Sequence, residues 1–381
     1  MKKKTAVLGA TGSIGKNTLD VLRGASGKFQ PVLFSANSDA AALLKLSKEF
    51  PCAKLALTGK TKTEDNILSG LPAGTVFYGK EGLLDAIKIC GADIAVNGIA
   101  GAAGLVPSIA VLESGADLAL ANKETIVMAA PLVFKKAKEN NAKIIPVDSE
   151  HSAIFNLINA HGREALDEII LTASGGPFRN YTIEQLKNVT VKDALSHPTW
   201  SMGTKITVDS ASLANKGLEV IEAARLFDMP GEKIKVTIHP QSIVHSMIRL
   251  SDGAVYAQLS RPDMRLPIHE ALNYPAVTKS AWGVLDFENL TLTFEKPDYK
   301  RFPLLKFAYD ALNAGGLWTV AYNAANETVV HAFINKQISF LEIPSIVEYV
   351  LNKDWGGKPD DLPSIMDADR KAREAALGVL C

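Results

Sequence analysis

Residues 5–22 read TAVLGATGSIGKNTLDVL, and this stretch decides the fold of the first third of the chain. An apolar run is followed by Gly9, Gly12 and Gly15, and then by a helical pattern. Glycines allow a tight strand-to-helix turn that a pyrophosphate can approach, and the helix N-terminus offers free N–H groups to the anion. The G-x-x-G-x-x-G spacing is permissive, since any tight turn uses glycine. Its place directly after the first strand favours a dinucleotide site.

Strand and helix patterns continue to alternate up to residue 147. Further strand-like segments are PVLFSA, KLALT, TVFYG, DIAVNGI, DLALAN and KIIPVD, and helical segments such as KNTLDVLRG and AALLKLSKEF lie between them. Such alternation predicts a parallel sheet with helices on both faces. We therefore expect a Rossmann-like domain over residues 1–147. The lysines of MKKK precede a run too short for a signal peptide, so we interpret that run as the first strand.

The rest of the chain changes in character. Residues 148–275 mix strands (EIILTAS, KVTIHP, AVYAQLS) with helices, which predicts an α+β domain. Residues 276–302 are expected to form a linker. Residues 303–381 carry helical patterns in LLKFAYDALNAGG, AANETVVHAFINKQ, EIPSIVEYVLNK and IMDADRKAREAALG, which predict a C-terminal helical bundle. The expected fold class is α/β.

Composition excludes several classes of protein. The 381 residues include 41 Lys plus Arg and 41 Asp plus Glu, and a formal net charge of zero does not suit general nucleic-acid binding. Cys52, Cys90 and Cys381 have no paired or metal-type spacing, which fits a reducing compartment such as the cytoplasm. Without a run of about eighteen apolar residues, we expect no transmembrane helix.

Two acids follow the last strand of the first domain, in KIIPVDSEHSAIFNL. At the end of an extended strand, Asp148 and Glu150 would point to the same side, because residues i and i+2 share a face. Like charges on one face repel, and a divalent cation between them would relieve the repulsion. The alternative is a pair of solvated acids in a loop.

The segment HPTWSMGTKITVDSASLANKGLEVIEA, residues 197–223, predicts a polar helix face. Asp209 and Ser210 are N-cap candidates for the helix that follows. Asn215, Lys216 and Glu219 would then lie on one face, since i, i+3 and i+4 are neighbours on a helix. They either bind a metal and a phosphate together or form an ordinary exposed face with a Lys–Glu pair.

If the carboxylates of Asp148, Glu150 and Glu219 converge, the site contains only oxygen ligands, which favours Mg or Mn over Zn or Cu. The histidines near these motifs lack the i, i+4 spacing of a zinc pair. The loop Ser174–Pro177 (SGGP) follows a strand and suits a phosphate, although a plain turn is equally consistent with it.

The end of the second strand distinguishes NADP from NAD. An acid about twenty residues past the glycines would hold the ribose 2′-hydroxyl and repel a 2′-phosphate. Ser35, Ala36, Asn37 and Ser38 stand there instead, which favours NADP. Asp39 lies close by, and no Arg or Lys accompanies it.

Taken together, the motifs resemble one family. GATGSIG, ANKET, VDSEHSAIF, TASGGPFR, the long segment from His197, HPQSIVHSM, PDMRLPI and GGLWTVAYNAANE occur in the order of the 1-deoxy-D-xylulose 5-phosphate reductoisomerases. The resemblance covers nearly the whole chain. It implies a homodimeric bacterial or plastid-type enzyme of non-mevalonate isoprenoid biosynthesis. Such an enzyme uses NADPH with Mg or Mn to convert 1-deoxy-D-xylulose 5-phosphate to 2-C-methyl-D-erythritol 4-phosphate, and its central domain also dimerises.

The resemblance also implies roles for individual residues. The implied metal ligands are Asp148, Glu150 and Glu219. The implied substrate-binding residues are Lys123, Ser149, Glu150, Ser174, His197, Ser210, Asn215, Lys216 and Glu219. Of these, the implied catalytic residues are Lys123, Glu150 and His197. The implied cofactor-binding residues are Thr11, Gly12, Ser13, Ile14, Ala36, Asn37, Ser38, Asn122, Glu124 and Gly203, with Met202 also beside the nicotinamide.

The resemblance has one further implication and one departure. The loop from His197 to Gly203 would close over the site with Trp200 as its lid. Many members of the family carry a Gly-Lys-Asn sequence where this chain has Ala36, Asn37 and Ser38, so one cation that would meet a 2′-phosphate is missing.

Two other functions remain open on the residues alone. The first is a simple NADP-dependent dehydrogenase that needs no metal, and its activity would survive a chelator. The second is a non-catalytic dinucleotide sensor, which would bind NADPH without consuming it.

Overall fold

Seven parallel strands form the sheet of the N-terminal region in the computed structural model, which describes residues 1–200 and 202–380. The strands are β1 Lys3–Leu8, β2 Phe29–Ala36, β3 Lys54–Leu57, β4 Val76–Tyr78, β5 Ile94–Asn97, β6 Asp117–Leu120 and β7 Ile144–Pro146. Every neighbouring pair is parallel. The predicted parallel sheet is confirmed, and each strand overlaps a segment expected from the sequence, although β1 and β2 each begin two residues earlier than expected.

The strand order places the glycine turn at a binding crevice. The order is β4-β3-β2-β1-β5-β6-β7, so successive strands run outward from β1 in one direction up to β4 and in the other from β5. In open parallel sheets a ligand binds beyond the carboxyl ends of the strands where the order reverses. The turn after β1 lies at that point. Ala6, Val7 and Leu8 of β1 are at most 1% exposed and anchor the turn to the core.

Five helices connect these strands. They are α1 Ser13–Gly24, α2 Ala40–Glu49, α3 Gly79–Cys90, α4 Leu105–Glu113 and α5 Lys123–Glu139. Helix α5 is interrupted at Ala129, where φ is −142°. Pro131 follows two residues later, and a proline inside a helix removes a hydrogen bond and forces a kink.

A second, four-stranded sheet follows in the chain. Its strands are β8 Leu166–Ala173, β9 Ile234–Ile238, β10 Val244–Leu250 and β11 Val255–Leu259, in the order β11-β10-β8-β9. Strand β8 is parallel to β9 and antiparallel to β10, which in turn is antiparallel to β11. Strands β8, β9 and β11 were expected, whereas β10 was not singled out as a strand. The helices of this region are α6 Ser149–His161, α7 Ile183–Leu186, α8 Val191–Ala194, α9 Thr204–Ala211, α10 Ala214–Leu226 and α11 Arg265–Asn273.

The C-terminal region is helical, as predicted. Its helices are α12 Leu304–Ala314, α13 Trp318–Ile334, α14 Glu342–Leu351 and α15 Leu362–Leu377, and α13 packs against the other three. Between residues 276 and 302, all of which are described, the backbone forms a single bridge to the sheets, from Glu295 to Ile238.

The chain divides into two compact units. Unit 1 contains Met1–Thr125, Val133–Asp148 and Asp263–Trp282, and unit 2 contains Ile126–Leu132, Ser149–Pro262 and Gly283–Cys381. Across the residues that the structure describes, no helix has both the length and the apolar character that crossing a membrane requires.

One helix start differs from the prediction. Asp209 and Ser210 belong to the last turn of α9 and do not cap the helix that follows, so the N-cap prediction is wrong. Helix α10 begins at Ala214, after Leu213 in the left-handed conformation with φ of 60°. Helices α9 and α10 meet at this sharp turn. The left-handed conformation costs free energy, and the burial of Leu213, which is 3% exposed, offsets that cost.

The glycine turn after β1 depends on two glycines, one for its backbone conformation and one for close packing. Gly9 has φ of 77°, a conformation that side chains disfavour. A Cβ on Gly15 would lie 2.3 Å from the carbonyl oxygen of Gly9 and 2.5 Å from Cα of Ala10. A Cβ on Gly12 would lie 3.4 Å from the Gly9 oxygen, which is ordinary contact. Glycine at 15 is therefore required by the packing of α1 against the turn.

We predict that Gly15→Ala lowers the free energy of unfolding of unit 1 by about 1–3 kcal/mol, because a methyl group has no space there. The matched control Gly12→Ala should cost less than about 1 kcal/mol, since that position is open. Urea unfolding followed by circular dichroism measures both. Equal losses in the two variants would contradict the assigned packing.

Candidate active site

A buried lysine holds two carboxylates together in unit 2. Glu150 lies in the first turn of α6, and Glu219 lies in α10 with 1% of its surface exposed. Lys216 Nζ lies 3.1 Å from Glu150 Oε1 and also contacts Glu219 Oε2. Lys216 is itself 3% exposed. The ammonium therefore offsets the repulsion between two acids that burial would otherwise disfavour.

The polar face expected on this helix is present. Asn215 Nδ2 donates to Glu219 Oε1 at 2.5 Å across one turn of α10, and Lys216 contacts the same carboxylate from three residues away. The alternative of an ordinary exposed face is excluded by the burial of Lys216 and Glu219. Leu218 and Ile221 on the other faces of α10 are fully buried and fix the helix in the core.

Asp148 adds a third carboxylate immediately before α6. Its Oδ2 lies 2.5 Å from Lys123 Nζ, at the start of α5. Carboxylate oxygens of Asp148, Glu150 and Glu219 lie within 4.8 Å of one another. The predicted convergence is present, but its predicted cause is wrong, because β7 ends at Pro146 and Glu150 belongs to a helix. Oxygen donors alone, with net negative charge against two ammonium groups, fit Mg²⁺ or Mn²⁺.

A second possible metal-binding cluster shares Asp148 but also contains nitrogen. Asp148, His151 and Glu222 offer ligand atoms that also lie within 4.8 Å of one another. His151 and Glu222 are at most 1% exposed, and their Nδ1 and Oε2 atoms are 3.3 Å apart. His151 Nε2 already lies 3.0 Å from the carbonyl oxygen of Glu219. We therefore assign His151 to the core as a link between α6 and α10, and favour the all-oxygen cluster for a metal.

The loop after β8 lies directly against the end of α9. Gly176 has φ of 68°, and a Cβ there would lie 2.6 Å from the carbonyl oxygen of Ser210. Ser174 Oγ accepts a hydrogen bond from Gly176 N at 3.2 Å and lies 3.0 Å from His197 Nε2. The loop that carries Ser174 and the last turn of α9, which carries Ser210, are therefore neighbours.

The tautomer of His197 follows from its backbone partners. Its Nδ1 accepts from the N–H groups of Thr199 at 3.1 Å and Trp200 at 2.9 Å. An acceptor nitrogen carries no proton, so the proton of neutral His197 is on Nε2 and is donated to Ser174 Oγ. Burial lowers the pKa of His197, which favours the same neutral form. The Ser174 hydroxyl therefore accepts twice, and its own proton is left to donate.

Trp200 packs against a buried histidine. The rings of Trp200 and His245 have centroids 6.2 Å apart in an edge-on arrangement. Burial lowers the pKa of His245 to about 4, and its Nε2–H donates to the carbonyl of Ser260 at 3.2 Å. Ser201, the next residue of the loop implied as a lid, lies outside the described residues.

The predicted cofactor residues cluster around the N-terminus of α1 and the neighbouring strand ends of unit 1. Thr11, Gly12, Ser13 and Ile14 form the turn and first residues of α1, where no side chain caps the helix and no acid stands in the first turn. The free N–H groups of that turn are available to an anion.

Two residues near the second strand bear on nucleotide preference. Asn37 Oδ1 lies 3.3 Å from the Thr58 hydroxyl, at the ends of adjacent strands. Asp39 Oδ1 accepts from Ala42 N at 2.9 Å and caps α2. The carboxylate of Asp39, the acid that follows the second strand, is therefore engaged in capping α2.

The two implied cofactor residues after β6 are held by each other. Asn122 caps α5 by accepting from Thr125 N at 3.0 Å, and its Nδ2 donates to Glu124 Oε2 at 2.9 Å. Asn122 is 3% and Glu124 is 6% exposed. Gly203, the last of the implied cofactor residues, is the N-cap of α9 in unit 2.

Sequence reasoning missed several polar residues that build the site. Ser35 Oγ accepts from Gly9 N at 3.0 Å and so supports the glycine turn. Glu222 faces His151, and the signal for it was a second acid three residues after Glu219, among the apolar residues Val220, Ile221 and Ala223. Asn326 of α13 contacts Asp209 of α9, a pairing that no local pattern predicts.

Comparisons with known proteins agree along the whole chain. Family models match residues 5–130 (1-deoxy-D-xylulose 5-phosphate reductoisomerase), 144–227 (its C-terminal domain) and 259–375 (DXP reductoisomerase C-terminal domain). The chain is 47% identical to the 1-deoxy-D-xylulose 5-phosphate reductoisomerase of Pelodictyon phaeoclathratiforme, with 98% of each chain covered. It is 46% identical to that of Treponema denticola, with 99% of this chain and 97% of the relative covered.

Solved structures show the same likeness. The reductoisomerase from Zymomonas mobilis in complex with NADPH is 38% identical, with a TM-score of 0.91 over 100% of this chain and 99% of that one. A DOX-P reductoisomerase in complex with NADPH, fosmidomycin and magnesium has the same identity and TM-score over 99% of this chain and 98% of that one.

Fold and site together define the class of dinucleotide-binding oxidoreductases that also carry an acidic divalent-metal site. Within that class, the identity over nearly the full length is decisive. The chain belongs to the 1-deoxy-D-xylulose 5-phosphate reductoisomerase family.

We predict that His197 contributes to stability in a pH-dependent way. Its pKa is lowered in the folded protein, whereas an unfolded histidine titrates near about 6.5. Below that pH the unfolded chain binds more protons, so stability falls as pH falls. The variant His197→Asn keeps an acceptor for the two backbone N–H groups and cannot titrate. The stability advantage of the wild type over His197→Asn should shrink between pH 7.5 and 5.5, measured by urea unfolding. An advantage that grows over this range would contradict the assigned tautomer.

Proposed function

We propose that the chain converts 1-deoxy-D-xylulose 5-phosphate to 2-C-methyl-D-erythritol 4-phosphate with NADPH and Mg or Mn, in non-mevalonate isoprenoid biosynthesis. The observation that carries this proposal is the group of carboxylates of Asp148, Glu150 and Glu219, held by Lys123 and Lys216. A metal-free dehydrogenase or a dinucleotide sensor has no use for such a group. Relatives named for this reaction, and related structures that contain NADPH and magnesium, support the same assignment.

The metal would be held by Asp148, Glu150 and Glu219. A divalent ion held there supplies Lewis acidity and a template for neighbouring substrate oxygens. Lys216, in contact with both glutamates of unit 2, balances their negative charge and points both carboxylates at one place. The protein therefore holds the metal-binding carboxylates in position before metal or substrate binds, which lowers the free-energy cost of organising the site.

The phosphate of the substrate would bind where serine, amide and ammonium donors meet. Ser174 directs its hydroxyl proton away from His197 and Gly176, and Ser210 lies against the same loop. Asn215 and Lys216 stand at the start of α10. Binding the non-reacting phosphate positions the reacting carbons, so remote binding energy serves the chemical step.

Proton transfer falls to groups that touch the reacting end. Lys123 and Glu150 hold and move protons at the substrate hydroxyls, and Ser149 adds a hydroxyl beside them that donates to Glu150 Oε2 at 2.7 Å. His197 is neutral and orients Ser174. The loop from His197 to Gly203, with Trp200 on it, would exclude water before hydride transfer.

NADPH would bind to unit 1 at the glycine turn. Its pyrophosphate would accept from the N–H groups of Thr11, Ser13 and Ile14, while Gly12 N donates to the Gly9 oxygen at 3.1 Å and shapes the turn. Ala36, Asn37 and Ser38 would meet the adenosine ribose and its 2′-phosphate, because Asp39 is bound to α2 and no acid is directed there. Asn122 and Glu124 would contact the nicotinamide half, and the family resemblance implies the same role for Met202 and Gly203.

We propose that the enzyme is a cytoplasmic homodimer. The edge strand β11 exposes 44% of Val255 and 40% of Tyr256, and an exposed apolar edge strand is a surface on which a second copy can pair. Residues 148–275 would provide this interface and, apart from Lys123, the catalytic residues. Residues 1–147 would form the NADPH-binding domain, 276–302 a linker and 303–381 the helical bundle. Light scattering should give twice the chain mass of 40.8 kDa, and a monomer at micromolar concentration would refute the dimer.

The proposed activity is tested by NADPH oxidation with 1-deoxy-D-xylulose 5-phosphate. Oxidation should require Mn²⁺ or Mg²⁺, stop with a chelator and resume when metal is restored. Activity that persists in the chelator would favour the metal-free dehydrogenase. NADPH binding without oxidation would favour the sensor.

We predict that Glu219→Gln lowers kcat by at least about a hundredfold and weakens Mn²⁺ binding, because it removes a charged ligand. The fold should persist, since Gln keeps the shape of the side chain. Glu222→Gln is the matched control three residues away, and it should leave Mn²⁺ affinity within a few-fold of wild type. Titration of Mn²⁺ by electron paramagnetic resonance checks both. Loss of binding in Glu222→Gln alone would transfer the metal to the cluster that contains His151.

A further inference from the structure

A buried carboxylate joins the C-terminal bundle to the helix that carries Ser210. Asp209 of α9 is 1% exposed, and Asn326 of α13 is 0% exposed. Asn326 Nδ2 donates to Asp209 Oδ1 at 2.9 Å. Lys205 Nζ, one turn earlier in α9, lies 2.8 Å from Asp209 Oδ2. Both oxygens of this carboxylate are therefore occupied, one by each helix.

Helix α9 depends on such contacts for its position. It has eight residues, Thr204–Ala211, and helices shorter than about 12–15 residues are marginal without tertiary packing. Its N-cap, Gly203, has no side chain to cap it, and the turn after it passes through Leu213 in the left-handed conformation. Neither end of α9 fixes the orientation of its last turn.

Ser210 is held from two sides as a result. On one side, the close approach of Gly176 presses the loop after β8 against the Ser210 carbonyl. On the other, the preceding residue is bound to α13 through Asn326. The hydroxyl of Ser210 is at the site proposed for phosphate, and a shift of about 1 Å in such a group is enough to weaken binding.

We propose that Asp209 and Asn326 are positioning residues for the phosphate of the substrate. The amide of α13 holds the Asp209 carboxylate, and this bond sets the place of the Ser210 hydroxyl. The inference rests on the proposed function and extends it to the AANE segment of α13, which contains Asn326 and Glu327 and has no other part in the site. Neither residue of the pair touches the substrate.

The experiment compares Asn326→Ala with a matched control on the next residue. Glu327 contacts Arg373 of α15, so Glu327→Gln disturbs the same helix without touching α9. Wild type is assayed first. An inactive wild type would refute the proposed function, and the positioning role would then be tested by phosphate binding alone. In Asn326→Ala the KM for 1-deoxy-D-xylulose 5-phosphate should rise about tenfold. The KM for NADPH should stay within twofold of wild type, and Glu327→Gln should change neither.

Inorganic phosphate supplies a readout that is independent of turnover. Its dissociation constant, measured by calorimetry, should rise in Asn326→Ala by about the same factor as the KM of the sugar phosphate. Asp209→Leu is close in size but offers no acceptor to Asn326, so it should show the same selective loss, and it replaces Asn326→Ala if that variant does not fold. The double variant Asp209→Asn with Asn326→Asp restores a donor opposite a carboxylate and should recover much of the phosphate affinity. A lower melting temperature with unchanged phosphate affinity would overturn the proposal and leave the pair a structural role only.

Discussion

The contact on which the site depends is that of one buried ammonium with two carboxylates. Lys216 lies between Glu150 and Glu219, which come from different helices and would repel each other in a place that excludes water. Removing one partner of a buried ion pair leaves an uncompensated charge, at a cost of several kcal/mol. Lys216, Glu150 and Glu219 therefore depend on one another for stability. His151 reinforces the cluster, because its ring contacts the backbone of α10 from α6.

The other elements of unit 2 are arranged around that cluster. Helix α10 starts abruptly after Leu213, which places Asn215 and Lys216 in its first turn. The loop at Gly176 lies against the last turn of helix α9, and α9 in turn packs against α10. In unit 1, the close packing of Gly15 against the turn fixes the start of α1. No side chain caps this helix, so its N-terminus is open to an anion.

Much of this was predictable where one local pattern decides the structure. The seven strands of the first sheet each contain a short apolar run, and the face of Asn215, Lys216 and Glu219 follows from helical spacing. Strand β10 was not predicted, because polar His245 and Ser246 interrupt its apolar pattern. Partners far apart in sequence could not be predicted, since the Asp209–Asn326 bond spans 117 positions and is made by tertiary packing alone.

We propose that the carboxylates of Asp148, Glu150 and Glu219 form one divalent-metal site, and the proposed activity depends on it. The most direct measurement is a crystal structure grown with Mn²⁺, with anomalous diffraction recorded at the manganese edge. We expect one strong peak bonded to oxygens of all three residues, at distances of about 2.0–2.2 Å. A peak bonded to His151 and Glu222 instead, or no peak at saturating Mn²⁺, would contradict it.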